Sequence, residues 1–203
     1  MRSSNQHTTP KPVLIFATNN AHKVEEIQAA IGDQLEVISL RQAGIDIDIP
    51  EPHATLEANA AEKSATIHRL TGEDCFSEDT GLEVAALNGE PGVKSARYAG
   101  DSRDFSSNIE KLLHNLEGIS DRKARFRTVV SLIKDGKEYL FEGICNGHIL
   151  TTPRGGQGFG YDPVFVPEGA ARSFAEMSLE EKNHYSHRRK AADKLVAFLK
   201  RKH

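Results

Sequence analysis

Two cysteines in 203 residues, Cys75 and Cys145, are too few and too far apart for a disulfide framework or a cysteine zinc site. Each sits inside an apolar segment and reads as a buried small hydrophobe, which removes thiol chemistry from the candidate functions. The chain also lacks any run of about 18 apolar residues, the length a membrane-spanning helix requires. It has no large excess of one charge: 26 basic and 29 acidic residues leave a net −3, so its overall charge draws it neither to nucleic acid nor to an anionic membrane. P-loop and GxGxxG signatures are missing, as are internal repeats, low-complexity tracts and a flexible interdomain linker. The first residues, Met1 to Lys11, carry no apolar stretch of the secretory kind. They read as a disordered lead-in to one domain over 12–203, and a cytoplasmic protein is expected. What is present, 38% hydrophobic and 27% charged residues, suits a soluble globular chain with a sizeable core.

The pattern along the chain is mixed α/β. Pro12 to Ala17 is a continuous apolar run, as in a strand covered on both faces. The polar hinge Thr18-Asn19-Asn20 then opens a helix with Val24, Ile27 and Ile31 on one face and Gly32 as its stop. Leu35 to Leu40 reads as a second strand, giving a βαβ unit and a partly parallel sheet. Gly44 to His53 reads as a loop, and Thr55 as the N-cap of a helix ending at Gly72. Asp104 or Ser106 caps a further helix. From Lys123 an alternating pattern, the turn pair Asp135-Gly136 and a return strand predict a long antiparallel hairpin, the core of a second lobe. A glycine-rich loop from Gly155 to Pro163 leads to the short strand Val164-Phe165-Val166. A last helix begins near Ser186, with Ala192, Leu195, Val196 and Leu199 on one face.

Four segments carry chemistry. Ser77-Glu78-Asp79-Thr80-Gly81 lies between apolar runs and reads either as a hairpin turn or as a strand-end site. There, carboxylates and a hydroxyl would offer a divalent cation hard oxygen ligands, and one carboxylate could take a proton from water. Thr18 to Lys23 stands at the first strand-to-helix junction, where helix amides favour phosphate. Lys23 opposes the helix dipole there, so a nearby anion would account for it. In the glycine loop Phe159 could stack on a planar base and Asp162 could accept hydrogen bonds from it. His187 and Arg188 are again potentially cationic groups poorly placed for the dipole of a first helical turn, which points to a ligand. Arg122 to Arg127 interleaves only one aromatic, and nucleic-acid binding is not expected.

Taken in order, these blocks resemble the inosine triphosphate pyrophosphatase family, whose members act on non-standard purine nucleoside triphosphates (dITP/XTP pyrophosphatases). They are Thr18-Asn19-Asn20-Ala21-His22-Lys23; Ser77 to Val84 with Leu87-Asn88-Gly89 and Pro91 to Gly100; Gly158 to Phe165; and Glu181-Lys182 with Ser186-His187-Arg188. The resemblance covers Val13 to Leu199. It implies an elongated mixed α/β sheet with flanking helices, two lobes and a central cleft, usually a homodimer. It also implies a Mg²⁺-dependent hydrolase, with Mn²⁺ as an alternative ion, that cuts ITP, dITP and XTP to the monophosphate and pyrophosphate. Carried over by position, Asp79 is the catalytic acid–base group, and Glu51 and Asp79 hold the metal. Thr18, Asn19, Asn20, Ala21, His22, Lys23, Lys63 and Thr80 then contact the substrate. Phe159, Asp162, Lys182, His187 and Arg188 line the base pocket, and Gly160 and Tyr161 beside them also bind substrate. Two positions depart from the family pattern. Glu78-Asp79-Thr80 stands where Asp-Asp-Ser is usual, and Pro52-His53 where an acid and a glycine often follow the metal glutamate. A pyrimidine-directed pyrophosphatase of the Maf type and a nucleotide sensor without turnover are the alternatives to separate by assay.

Overall fold

A parallel βαβ unit opens the fold, as the sequence pattern predicts. The computed structural model describes residues 13–201, so the expected lead-in over 1–11 lies outside the described residues. Strand β1 (Val13–Phe16) pairs in parallel with β2 (Glu36–Ser39) across helix α1 (Ala21–Ile31). Asn20 caps α1 by accepting from the Lys23 amide, and Gly32, at φ 63°, ends it. Helix α2 (Leu56–Thr71) is capped by Thr55 and stopped by Gly72. Then come β3 (Cys75–Val84), the two-residue β4 (Pro91–Gly92) and α3 (Phe105–Asn115), the last capped by Asp104.

Strands β5 (Lys123–Lys134) and β6 (Lys137–Ile149) form the expected hairpin. Asp135 and Gly136 both take positive φ, 50° and 73°, the backbone twist that a two-residue hairpin turn needs. Strand β7 (Phe165–Pro167) and helices α4 (Leu179–Tyr185) and α5 (His187–Leu199) complete the chain. The sheet order is β2-β1-β3-β5-β6-β7, with β4 on the free edge of β3. Among the described residues the parallel pairs are β1–β2 and β1–β3; the other pairs are antiparallel.

The acidic segment Ser77 to Gly81 is not a turn. It is the middle of a ten-residue strand that pairs antiparallel with β5 from Cys75 to Val84. The hairpin β5–β6 also does more than form a second lobe's core, because β3 and β5 run through two separate hydrophobic clusters. Phe76 and Leu132 pack with Phe16, Ile27, Ile31 and Leu195 in one lobe. Leu82 and Phe126 pack with Leu112, Phe165 and Phe174 in the other. Each such buried side chain contributes about 1.5–3 kcal/mol relative to exposure, so both lobes are anchored on the same two strands. Helix α5 lies so close to β6 that a Cβ at Gly143 would stand 2.0 Å from the His187 carbonyl oxygen. The missing side chain lets the first turn of α5, with His187 and Arg188, rest directly on the sheet.

Candidate active site

The cleft arises where strand β1 stops short. Its pairing with β3 covers only Ile15–Cys75 and Phe16–Phe76, and β4 joins β3 only at Leu82 and Glu83. Between these points one edge of β3, carrying Ser77 to Gly81, has no strand neighbour among the described residues. The gap lies beyond the carboxyl end of a parallel strand, the position where open α/β sheets bind ligands. A cavity of about 480 Å³ fills it, within the range of small-molecule sites.

Successive strand residues face opposite ways, so Glu78 and Asp79 are not a twin pair. Asp79 meets α2 and the loop before it. The Lys63 ammonium lies 3.2 Å from Asp79 Oδ1 and 2.6 Å from Glu51 Oε1, and Arg97 reaches the other Glu51 oxygen at 3.5 Å. Asp79 Oδ2 is buried with no hydrogen-bond partner among the described residues. Burial raises the Asp79 carboxyl above its ordinary range against the pull of Lys63 and Lys23, and the Glu51 charge adds to the rise. Burial works against the charge on Lys63 too, but Asp79 and Glu51 outweigh it and keep its pKa high.

Glu78 faces α1 and α5. Its carboxylate accepts from Arg188 Nε at 2.7 Å and Nη2 at 3.0 Å, and Lys23 Nζ stands 3.1 Å away. Burial alone would push its pKa up, yet Arg188 and Lys23 hold it well below the usual carboxylate range. The dipole-opposing cations of α1 and α5 therefore do have an anion, and it is the protein's own.

Arg188 continues to Glu26 on α1, which also accepts from Lys182 Nζ at 2.6 Å; Lys182 in turn reaches Asp162 Oδ2 at 2.7 Å. All of Glu26, Asp162, Lys182 and Arg188 are buried. Sequence reasoning missed Glu26. Its signal was an acid adjoining Ile27 on the apolar face of α1, one turn after Lys23.

At the far end the Phe159 ring lies within cation–π reach of Lys182 (5.4 Å) and Arg188 (5.6 Å). The Phe159 amide donates to Asp162 Oδ2 at 2.9 Å, closing the loop on itself. His187 stacks on Phe126 at 4.7 Å, and its Nδ1 is buried without a partner among the described residues. Burial, then the Arg188 and Lys182 charges, lower its pKa well below 6.5.

Between that lowered value and about 6.5 the unfolded chain binds a proton at His187 that the folded chain does not. Stability therefore falls with acid, by at most about 1.4 kcal/mol per pH unit. His187→Gln is expected to flatten the melting temperature against pH between 7 and 5. Parallel curves for the two proteins would locate the acid sensitivity elsewhere.

The structure brings Thr18, Asn19, Asn20, Lys23, Glu51, Lys63, Asp79, Thr80, Phe159, Gly160, Tyr161, Asp162, Lys182, His187 and Arg188 around one cavity. Ala21 and His22 do not line it, although the His22 ring stacks on Phe159 at 5.2 Å. Several of these side chains also have structural work. Thr18 accepts from the Asn20 amide, Asn19 from the Arg41 amide, and the Tyr161 hydroxyl donates to the Ser95 carbonyl. Thr80 shares a hydrogen bond of 2.7 Å with Thr128, a second residue that the sequence did not flag.

A two-lobed mixed sheet with a charged cleft at the end of its parallel strands defines the class: an α/β protein with a phosphate-favouring helix start facing buried carboxylates. Within that class the chain belongs to the Ham1 family, whose model matches residues 14–198. This agrees with the resemblance carried by the four sequence blocks. The dITP/XTP pyrophosphatase of Flavobacterium psychrophilum is 48% identical over 187 residues, 92% of this chain and 98% of that one. The protein of the same description from Porphyromonas gingivalis is 49% identical over 187 residues, 92% and 96% of the two chains. Among solved structures, the Staphylococcus aureus Ham1 protein matches with a TM-score of 0.83 at 39% identity, covering 92% of this chain and 97% of that one. A HAM1 protein from Coxiella burnetii gives 0.84 at 35% identity, covering 93% and 98%. The elongated, two-lobed mixed fold is therefore a shared one.

Proposed function

We propose that the protein is a nucleoside-triphosphate pyrophosphatase that hydrolyses ITP, dITP and XTP to the monophosphate and pyrophosphate. The observation that carries this reading is Asp79, a buried carboxylate with one oxygen unpartnered among the described residues, lining the same cavity as the start of α1 and Phe159. The donor set suits Mg²⁺, with Mn²⁺ as an alternative. Among the described residues no group of three or more metal-type side chains occurs, and Mg²⁺ beside phosphates is commonly held by only one or two carboxylates. Glu51 and Asp79 would supply them. When bound, the ion neutralises phosphate charge and makes water more acidic.

The chain's own residues do the rest. Asp79 takes a proton from water as the water oxygen bonds to the α-phosphorus and the bond to the bridging oxygen breaks. Lys63, Lys23 and the first amides of α1 stabilise the departing pyrophosphate, which leaves with the bridging electron pair. Thr18, Asn20 and Thr80 orient the phosphates, and Phe159 supports the base.

Selectivity follows from a donor count. Lys182 spends two of its three N–H groups on Glu26 and Asp162. Arg188 spends four of its five on Glu78, Glu26 and Thr80. Among the described residues one N–H on each has no further partner and is left for a 6-oxo purine oxygen. A 6-amino group would oppose donor with donor, and sites of this kind discriminate by roughly 10⁴-fold.

Homodimer assembly, a single domain over 12–203 and a cytoplasmic place of action are parts of the same proposal. No helix of the described residues is long and apolar enough to cross a membrane. The test is incubation with ITP, dITP, XTP, ATP, GTP and dTTP plus Mg²⁺, with products identified. Inosine and xanthosine monophosphates with pyrophosphate are expected. Orthophosphate with a diphosphate, preference for dTTP, or tight binding without product would each overturn the reading.

A further inference from the structure

The cleft wall contains one cation with a different environment from the rest. Lys23, Lys63, Lys182 and Arg188 each stand in an ion pair with a buried or half-buried carboxylate. Arg103, in the segment leading into α3, also lines the cavity, and among the described residues it has no ion-pair or hydrogen-bond partner. The adjacent Asp104 does not answer it, being engaged with the Ser107 amide at 2.7 Å and hydroxyl at 2.6 Å as the cap of α3.

The backbone marks the same residue. Three non-glycine residues among those described take positive φ: Asn88, Asp135 and Arg103 at 54°. Asn88 follows the short turn over 85–87 and Asp135 forms the hairpin turn, and both types tolerate this region through local side-chain hydrogen bonds. Arginine does not, and the conformation costs on the order of 1 kcal/mol, a strain found where a ligand clamp or active site requires it. Two residues on, Phe105 is 42% exposed and leans on Phe159 at 6.2 Å, so this segment borders the base pocket. It is joined to the lobe built on Leu112 and Phe126, whereas Lys23 belongs to the lobe built on Ile27 and Ile31.

Resting on the reading of the cleft as a nucleotide pocket, we propose that Arg103 is a substrate-binding residue. It pairs with the phosphate oxygens of the bound nucleoside triphosphate from the lobe opposite Lys23. A triphosphate brings several negative charges into a cleft whose other cations are already matched by carboxylates. The guanidinium fork fits phosphate oxygens two at a time. Held by both lobes, the phosphate chain bridges the cleft.

Arg103→Gly separates charge from conformation, because glycine adopts positive φ without strain. The loop is retained, with a melting temperature equal to or above the wild type, and the cation is gone. With ITP its KM is expected to rise about tenfold, the loss of a charge-assisted contact, with kcat within about twofold. Arg103→Lys is expected to fall between the two. The ratio of kcat/KM for ITP over ATP stays as in the wild type, since both carry the same phosphates.

Calorimetric titration of ITP with metal chelated gives the same comparison without turnover. A wild type that binds ITP but does not cleave it would sink the pyrophosphatase reading and still measure Arg103. An Arg103→Gly affinity within twofold of wild type overturns this inference, as does a loss seen for ITP and not for ATP.

Discussion

Asp79→Asn is expected to lower turnover of ITP by roughly 10⁴-fold while leaving nucleotide affinity within a few-fold of wild type. The amide keeps the shape of the carboxylate but cannot take the water proton and is a poor metal ligand, and each of those losses is large. Affinity survives for an electrostatic reason. Lys63 loses one of its two carboxylate partners but keeps Glu51 at 2.6 Å, so the phosphate end of the cleft becomes more positive. Stability is expected to hold or rise. Burial raises the Asp79 pKa, so folding disfavours its ionised form, and the neutral amide removes that penalty. Single-turnover product formation, calorimetric affinity for ITP and a melting curve together test the assignment. Full activity in the variant would remove Asp79 from the mechanism, and a parallel collapse of affinity and melting temperature would make its role structural.

The parts of this molecule that were legible beforehand are those fixed by local chemistry. Asn20, Thr55, Asp104 and Ser186 cap helices because their side-chain oxygens reach orphan amides one turn on. Asp135-Gly136 turns the hairpin because both residues accept positive φ. The acidic centre of β3 was illegible for the complementary reason. Glu78, Asp79 and Gly81 are poor strand formers, and only pairing with β5 and the cations waiting on both faces hold them extended. Glu26 was hidden likewise, since its partners Lys182 and Arg188 lie more than 150 positions away. Lys23 was read as a cation that a nearby anion would explain, and Arg188 as a cation that hints at a ligand; both meet Glu78. That the anion would be Glu78 is a fact of topology, set by the early end of β1 and the close seat of α5 on Gly143.

Arg188→Met is expected to be among the most destabilising single changes in this chain, by about 3–5 kcal/mol, because it strips two buried carboxylates of their principal partner. For a chain of this size that corresponds to a fall in melting temperature on the order of 10 °C. Glu78 would retain Lys23 at 3.1 Å and Glu26 would retain Lys182 at 2.6 Å, so folding weakens rather than fails. The pH dependence identifies the cause. Burial opposes ionisation of Glu26 and Glu78, but Arg188 and its lysine neighbours hold both pKa values below the ordinary 4.5. A carboxylate with a depressed folded pKa stabilises fully above its unfolded value and loses that contribution as pH falls through the folded one. The gap between wild type and Arg188→Met should thus be widest near pH 7 and narrow below about pH 4.5. Arg188→Lys restores one charge without the fork and should recover only part of it. The double variant Glu78→Gln with Arg188→Met decides the matter: it is expected to melt above Arg188→Met alone, since no charge at position 78 is then left unmatched. Additive losses in the double variant would mean that Arg188 stabilises the fold through packing on Phe159 and the sheet, and that the buried ion pairs are incidental to it.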